Sequence, residues 1–160
     1  MLRIFSFCVF YLAQPAELGS DINFPVVRVK EILVPEYGVI GKNAVLSCSY
    51  TSTHGVYSVR WYKNGVEFYC YLPGTDNPIS VFPAPGLHVE VEKSSATSVY
   101  LQNLTLDSTG RYRCEVSGES PFFPTDSLYE DMLVVALPRR GPRIQGAKPR
   151  LDIGIREINQ

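Results

Sequence analysis

Two cysteines, a tryptophan and a tyrosine at set spacings constrain this chain more than any other feature of its sequence. Trp61 follows Cys48 by thirteen residues, and Tyr112 stands two positions before Cys114. The residues around them belong to short apolar runs that repeat at strand period and are separated by Gly, Pro, Asn and Ser. No window from Val26 to Leu137 carries a long stripe with helical period. The chain is therefore predicted to be all-β.

The order of these four residues resembles that of an immunoglobulin sandwich. The resemblance implies that a Cys48–Cys114 disulfide joins the two sheets, that Trp61 packs on it, and that the Tyr112 hydroxyl ties a corner. Nine or ten predicted strands, with strand D at Leu87–Glu92 and the last strand at Asp131–Leu137, make the sandwich variable-type with two antiparallel sheets. Asn64-Gly65 predicts a tight hairpin. The aspartate that usually precedes the second cysteine by six residues is replaced by Ser108, with Asp107 one position away, so the sequence leaves the usual Arg–Asp ion pair at the base open.

The chain divides into three predicted regions. Residues 1–20 carry one arginine ahead of an apolar run, which favours a secretory signal peptide over a buried strand of the domain. Residues 21–137 form the immunoglobulin V-type domain. Residues 138–160 resemble a linker and the truncated start of a second immunoglobulin-like domain, and we expect them to be a mobile tail. No later segment is long and apolar enough to be a membrane anchor, so a secreted product is expected.

Charge and motifs exclude several classes of function. The chain has 15 Lys plus Arg and 16 Asp plus Glu, with a body near −5 and a tail near +4, which does not suit a nucleic-acid binder. Its two histidines, His54 and His88, have no Cys or His at metal-ligand spacing. Catalytic elbows, zinc-protease motifs and phosphate-binding glycine loops do not occur. We expect no enzyme activity, no cofactor, no metal and no small-molecule substrate.

Strand alternation predicts one exposed face suited to a protein partner. If Trp61 and Cys114 point inward, Arg60 and Tyr62 on strand C and Arg113 and Glu115 on strand F point outward. A tyrosine from strand C′ and a phenylalanine from the F–G loop extend this mixture of residue types, which is enriched at interfaces. The predicted partner-binding set is Arg60, Tyr62, Tyr69, Arg113, Glu115 and Phe122. The alternative is that these are ordinary solvated strand residues and that Phe122 or Phe123 packs into the core of its own loop.

More detailed stretches resemble the first domain of the Beaten path proteins. These include Tyr57–Lys63, Glu67–Tyr69, Val81–Pro83, Gly86–Val89, Gly110–Ser117, Ser120–Phe123 and Asp131–Val135. That family consists of secreted or membrane-attached neuronal proteins of axon guidance, and its first domain binds Sidestep-type receptors of the immunoglobulin superfamily. The resemblance implies an extracellular recognition module at the neuronal cell surface. The alternatives are a glycan-recognising domain, with Arg113 pairing an acidic sugar, and a homophilic adhesion spacer.

Two further sites follow from short patterns. Asn103-Leu104-Thr105 is an acceptor sequon, so Asn103 is predicted to carry an N-linked glycan, the alternative being an unmodified exposed asparagine. Cys70 is the odd thiol once Cys48 and Cys114 pair and Cys8 leaves with the signal peptide. We expect it to stay unpaired within the domain, where it is available for an intermolecular disulfide and hence a homodimer.

Overall fold

The computed structural model describes residues 24–138. The predicted signal peptide and the predicted tail beyond Pro138 lie outside the described residues. Nine strands and two 3-10 turns make up the described part. The strands are β1 Val27–Leu33, β2 Tyr37–Val39, β3 Ala44–Ser52, β4 Val56–Lys63, β5 Val66–Tyr71, β6 Ile79–Val81, β7 Ser98–Leu101, β8 Gly110–Gly118 and β9 Thr125–Val135.

Two sheets face each other, which confirms the predicted variable-type sandwich. One sheet has the order β1-β3-β7 and the other β2-β9-β8-β4-β5-β6. All pairs are antiparallel except β2 and β9, which run parallel with Tyr37 opposite Leu133. Gly38 permits this pairing, because a Cβ at that position would lie 2.8 Å from Leu104 Cδ1. A side chain there would clash with the buried Leu104.

A disulfide and a tryptophan lie at the centre of the core. Cys48 on β3 is bonded to Cys114 on β8, with 6.4 Å between their Cα atoms. Trp61 on β4 lies opposite Cys114 in register and is completely buried. The inward residues of both sheets, including Leu46, pack around this group. The predicted bridge is thus confirmed, with the tryptophan beside it.

The base of the sandwich is closed by hydrogen bonds to backbone carbonyls. Tyr112 donates from its hydroxyl to the Ser108 carbonyl at 2.5 Å, which is the predicted corner. Ser108 itself donates to the Gly86 carbonyl at 2.5 Å. Lys63 points inward from β4, and its Nζ donates to the carbonyls of Pro85, at 3.1 Å, and of Asp107. A buried lysine and a serine therefore occupy the region where the Arg–Asp pair usually lies, and burial lowers the pKa of Lys63.

Two sequence-based expectations about strands were wrong in detail, and one turn was right. The predicted strand D is reduced to an isolated bridge between Val89 and Leu101, and Val91–Lys93 forms a 3-10 turn. The last strand begins at Thr125, six residues earlier than predicted, because it continues the hairpin with β8. Asn64 and Gly65 both have positive φ, 50° and 85°, as the predicted hairpin requires.

Removing the disulfide should weaken the fold strongly. The Cys48→Ala/Cys114→Ala variant is expected to lose about 2–5 kcal/mol of unfolding free energy, because the bridge restrains a long loop in the unfolded chain. Urea denaturation followed by tryptophan fluorescence measures this loss. The matched control is Cys70→Ala, which removes a thiol without opening a bridge, and equal midpoints for the two variants would contradict the prediction.

Candidate functional site: the outer face of the six-stranded sheet

Four of the six predicted binding residues lie together at the centre of this face. Across β4 and β8, Arg60 is opposite Glu115 and Tyr62 is opposite Arg113. The Tyr62 hydroxyl donates to Glu115 Oε1 at 3.1 Å, and Arg113 Nη2 lies 3.3 Å from Glu115 Oε2. The Arg113 guanidinium also stacks over the Tyr62 ring, 4.2 Å from its centroid. We call these four residues the central cluster.

The central cluster holds its polar groups in defined positions. Glu115 accepts from a tyrosine and pairs with an arginine, so its carboxylate is fixed from two sides. Partial burial raises the pKa of Tyr62, and the Glu115 charge adds to that effect. Arg60 has a buried Nε without a hydrogen-bond partner among the described residues. Tyr62, Arg113 and Glu115 are thus pre-ordered by one another, and such side chains lose little entropy when a partner covers them.

A second arginine–tyrosine stack lies beside the first. Tyr129 on β9 is opposite Arg113 and is 58% exposed. Arg111 lies 4.7 Å from the Tyr129 ring centroid and donates to both carboxylate oxygens of Asp131, at 3.0 and 3.1 Å. Sequence reasoning missed Tyr129 because the last strand was predicted to start after it. Alternation counted back from the inward Met132 and Val134 would have found it.

A shallow recess borders this face where β2 joins β9. It encloses about 430 Å³ and lies between the exposed side chains of Tyr37 and Leu133 and the Arg111–Asp131 pair. Exposed apolar groups next to a fixed ion pair are typical of protein interfaces, where the apolar part is covered and the charges set orientation.

The predicted place of Tyr69 on the outer face is wrong. Tyr69 is fully buried, lies opposite Trp61, and donates from its hydroxyl to the Ser95 carbonyl at 2.9 Å. A bulge between β4 and β5 inserts Phe68, so two consecutive aromatic residues enter the core. Simple alternation places only one of them inward.

Phe122 is exposed but lies away from the central cluster. It belongs to the loop between β8 and β9, and its ring contacts that of Phe24 with 6.5 Å between centroids. Phe24 precedes β1 of the other sheet, so this contact is at the end of the sandwich rather than on its face. The structure therefore brings together Arg60, Tyr62, Arg113 and Glu115, and separates Phe122 from them.

Cys70 is free, as predicted, but it is not accessible. It is the unpaired cysteine of residues 24–138 and is only 5% exposed, in a position opposite Arg60 on β4. Burial raises the pKa of its thiol, which lowers the fraction present as reactive thiolate. An intermolecular disulfide needs an exposed sulfur, so the position of Cys70 disfavours the expected homodimer.

We expect Cys70 to resist alkylation until the domain unfolds. In native buffer, iodoacetamide should modify it at least ~100-fold more slowly than in urea, because the reagent needs an opening event. Peptide mapping by mass spectrometry measures the modified fraction. The control is Ser80→Cys in a Cys70→Ala background, which places a lone thiol at an exposed position on β6. Equal native rates at the two positions would show that Cys70 is accessible.

Other potential sites in residues 24–138 are limited. Within this range no group of three or more His, Cys, Asp or Glu side chains is arranged to hold a metal ion. The same range contains no helix with the length and apolar character needed to cross a membrane. Asn103 is exposed, with φ of 53°, next to the 3-10 turn Leu106–Ser108.

Comparisons with known proteins agree on the fold. The profile of the immunoglobulin V-set domain matches residues 35–130. The crystal structure of murine CEACAM1b is similar, with a TM-score of 0.54 and 22% identity over 66% of this chain and 54% of that one. This chain thus spans about half of that relative. Domain 1 of VCBP3 from Branchiostoma floridae has a TM-score of 0.50 and 18% identity, covering 69% and 94% of the two chains. Curated protein sequences yield no match.

Proposed function

This chain belongs to the immunoglobulin V-set domain family, and we propose that it recognises another protein through the outer face of its six-stranded sheet. The observation that carries the proposal is the central cluster together with its neighbour Tyr129. V-set domains are generally recognition modules outside the cell or at its surface, and function in such folds depends on the site rather than on the fold.

The chemistry of the face supports a protein partner. Tyrosine and arginine are, with tryptophan, the residue types enriched among those that dominate binding energy at protein interfaces. Here both arginines that stack on tyrosines also have a carboxylate beside them, Glu115 for Arg113 and Asp131 for Arg111. Covering these pairs with a partner does not leave an isolated buried charge, which is the main cost of burying ionic groups.

The partner in this proposal is a cell-surface receptor of the immunoglobulin superfamily, of the Sidestep type, and the process is axon guidance. This finer statement rests on the resemblance of the quoted stretches to the first domain of the Beaten path proteins. Three of those stretches, Tyr57–Lys63, Gly110–Ser117 and Asp131–Val135, contribute to β4, β8 and β9. The residues of the resemblance and the residues of the face are therefore partly the same.

Glycan recognition has weaker support in the geometry. An arginine that binds an acidic sugar needs a free guanidinium, whereas Arg113 is stacked on Tyr62 and lies 3.3 Å from Glu115 Oε2. A sugar carboxylate would have to displace Glu115 and would meet its negative charge. A homophilic role would use the same face on two copies, and sedimentation of the purified protein distinguishes it from receptor binding.

Truncating Tyr62 should weaken receptor binding. The Tyr62→Ala variant removes the ring under Arg113 and the hydroxyl that holds Glu115, so we expect a loss of about 2 kcal/mol, roughly thirtyfold in affinity. Surface plasmon resonance against a panel of receptor ectodomains measures it. The matched control is Tyr100→Ala, a half-buried tyrosine on the opposite sheet, which should bind normally.

Equal losses from both variants, with both still folded by circular dichroism, would place the interface elsewhere. Binding of the wild-type protein to sialylated glycans but to no receptor in the panel would favour the glycan alternative. Concentration-dependent dimers that Tyr62→Ala abolishes would favour the homophilic one.

Asn103 is proposed to carry an N-linked glycan. Its side chain is exposed at the base of the sandwich, whereas the partner face lies along β4, β8 and β9. Protein secreted from eukaryotic cells should lose mass on treatment with a glycosidase, and Asn103→Gln should already migrate at the lower mass. Receptor affinity should change less than about twofold, because surface substitutions away from an interface have small effects. An unchanged mass after glycosidase treatment of the wild type would contradict this.

A further inference from the structure

Four exposed aromatic side chains gather at one end of the sandwich. Phe24 and Phe122 are 60% and 64% exposed, and Tyr57 and Phe123 are about half exposed. They form two edge-to-face pairs, Phe24 with Phe122 at 6.5 Å and Tyr57 with Phe123 at 5.6 Å between ring centroids. They come from the segment before β1, the start of β4 and the loop between β8 and β9. We call this group the aromatic end.

The aromatic end is held in place by the backbone around it. Phe123 has φ of 45°, in the left-handed region that bulky residues rarely adopt. Its N–H donates to the Glu119 carbonyl at 3.2 Å, and its carbonyl accepts from Thr125 Oγ1 at 3.2 Å. Unfavourable backbone conformations persist where surrounding contacts impose them, and they are concentrated at functional positions.

The loops at this end are acidic as well as aromatic. Loop residues 53–55, 72–78 and 119–124 include Asp76 and Glu119 and contain no lysine or arginine. The Glu119 carboxylate lies beside Gly55, where an added Cβ would be 3.0 Å from Oε1. The loop that carries Phe123 thus places the carboxylate of its first residue against the loop that leads to Tyr57. A cationic ligand would meet aromatic rings and a carboxylate together.

The sheet face of the same domain shows which group binds beside an aromatic ring and a carboxylate. On the sheet face, Arg113 stacks on Tyr62 beside Glu115, and Arg111 stacks on Tyr129 beside Asp131. Each arrangement consists of a ring, a carboxylate and a guanidinium. The aromatic end presents rings and a carboxylate, but its loops supply no guanidinium.

We propose that the aromatic end binds an arginine-bearing segment of a partner protein, at a site separate from the sheet face. A guanidinium stacks on aromatic rings and pairs with a carboxylate in one geometry, which an ammonium group does less well. The charge of the loops is complementary to this occupant. The inference rests on the proposed function only in taking the partner to be a protein.

A titration with short peptides tests this without the receptor. The probe is a capped pentapeptide with two arginines among three glycines, added to the full, isotope-labelled chain and followed by amide chemical shifts. We expect concentration-dependent shifts confined to the neighbourhood of Phe24, Tyr57, Glu119, Phe122 and Phe123. The lysine analogue should bind more weakly, and the glutamate analogue should leave the spectrum unchanged.

Single variants identify the groups responsible. Phe122→Ala and Glu119→Gln should each weaken peptide binding by about two- to fivefold, as expected for exposed cation–π and ion-pair contacts. The matched control Tyr100→Ala removes a ring from the opposite, three-stranded sheet and should leave the peptide affinity unchanged. Both Phe122 and Glu119 are exposed, and the retained spectrum of each variant verifies its fold.

Several results would overturn the proposal. These are no shifts at millimolar peptide, shifts centred on the sheet face, equal binding of the arginine and glutamate peptides, or full binding by both variants. Peptide binding at the aromatic end together with an empty receptor panel would refute the proposed function and leave this inference standing. Receptor binding that depends on Tyr62, together with no peptide binding, would support the proposed function and refute this inference.

Discussion

The covalent link between the two sheets, with the tryptophan beside it, fixes the orientation of the two strands that carry the central cluster. Cys48 and Cys114 hold β3 against β8, and Trp61 lies fully buried opposite Cys114 on β4. Once Cys114 and Trp61 point inward, the period of two along a strand forces Arg113, Glu115, Arg60 and Tyr62 outward. The central cluster is therefore a consequence of the core, because a shift of one residue in β4 would bury Arg60 and Tyr62 and expose the tryptophan, and the same shift in β8 would bury Arg113 and Glu115.

The sequence was sufficient to predict the central cluster, because the pattern of cysteine, tryptophan and tyrosine identifies the strands and sets their direction. It was insufficient where local geometry breaks the alternation. The bulge at Phe68 sends Tyr69 into the core, and no residue type nearby signals an inserted position. The parallel pairing of β2 with β9 brings Gly38 to a place where a Cβ would lie 2.8 Å from Leu104 Cδ1, and these two residues are far apart in the chain. The expected strand D failed for a related reason: alternation in Leu87–Glu92 reflects packing on the core, whereas only Val89 forms a bridge.

The electrostatics of the sheet face differ from those of a surface that attracts its partner at long range. Arg111 and Arg113 are each paired with an acid within the domain, so these charges largely cancel at a distance and contribute little to steering. Exposed ion pairs contribute little to stability by themselves. Here the ion pairs position side chains, because the carboxylates hold the guanidinium groups over Tyr62 and Tyr129. The outer face and the free edge of each guanidinium remain available to a partner. Affinity should then come mainly from covering aromatic and apolar area, including the recess beside Tyr37 and Leu133.

The distance between the sheet face and the aromatic end limits how one partner can use both. Gly118, where β8 ends and the loop begins, is five positions after Arg113, which corresponds to about 17 Å at the rise of a strand. A standard interface buries about 800 Å² on each side and is thus about 30 Å across. A partner centred on Tyr62 and tilted toward the loops can therefore reach Phe122, whereas one centred on the recess beside β2 cannot. The two surfaces also differ in what they lack: the sheet face has its guanidinium groups already in place, and the aromatic end needs one from outside. A partner that covers both should accordingly present a largely apolar patch to the first and an arginine at its edge to the second.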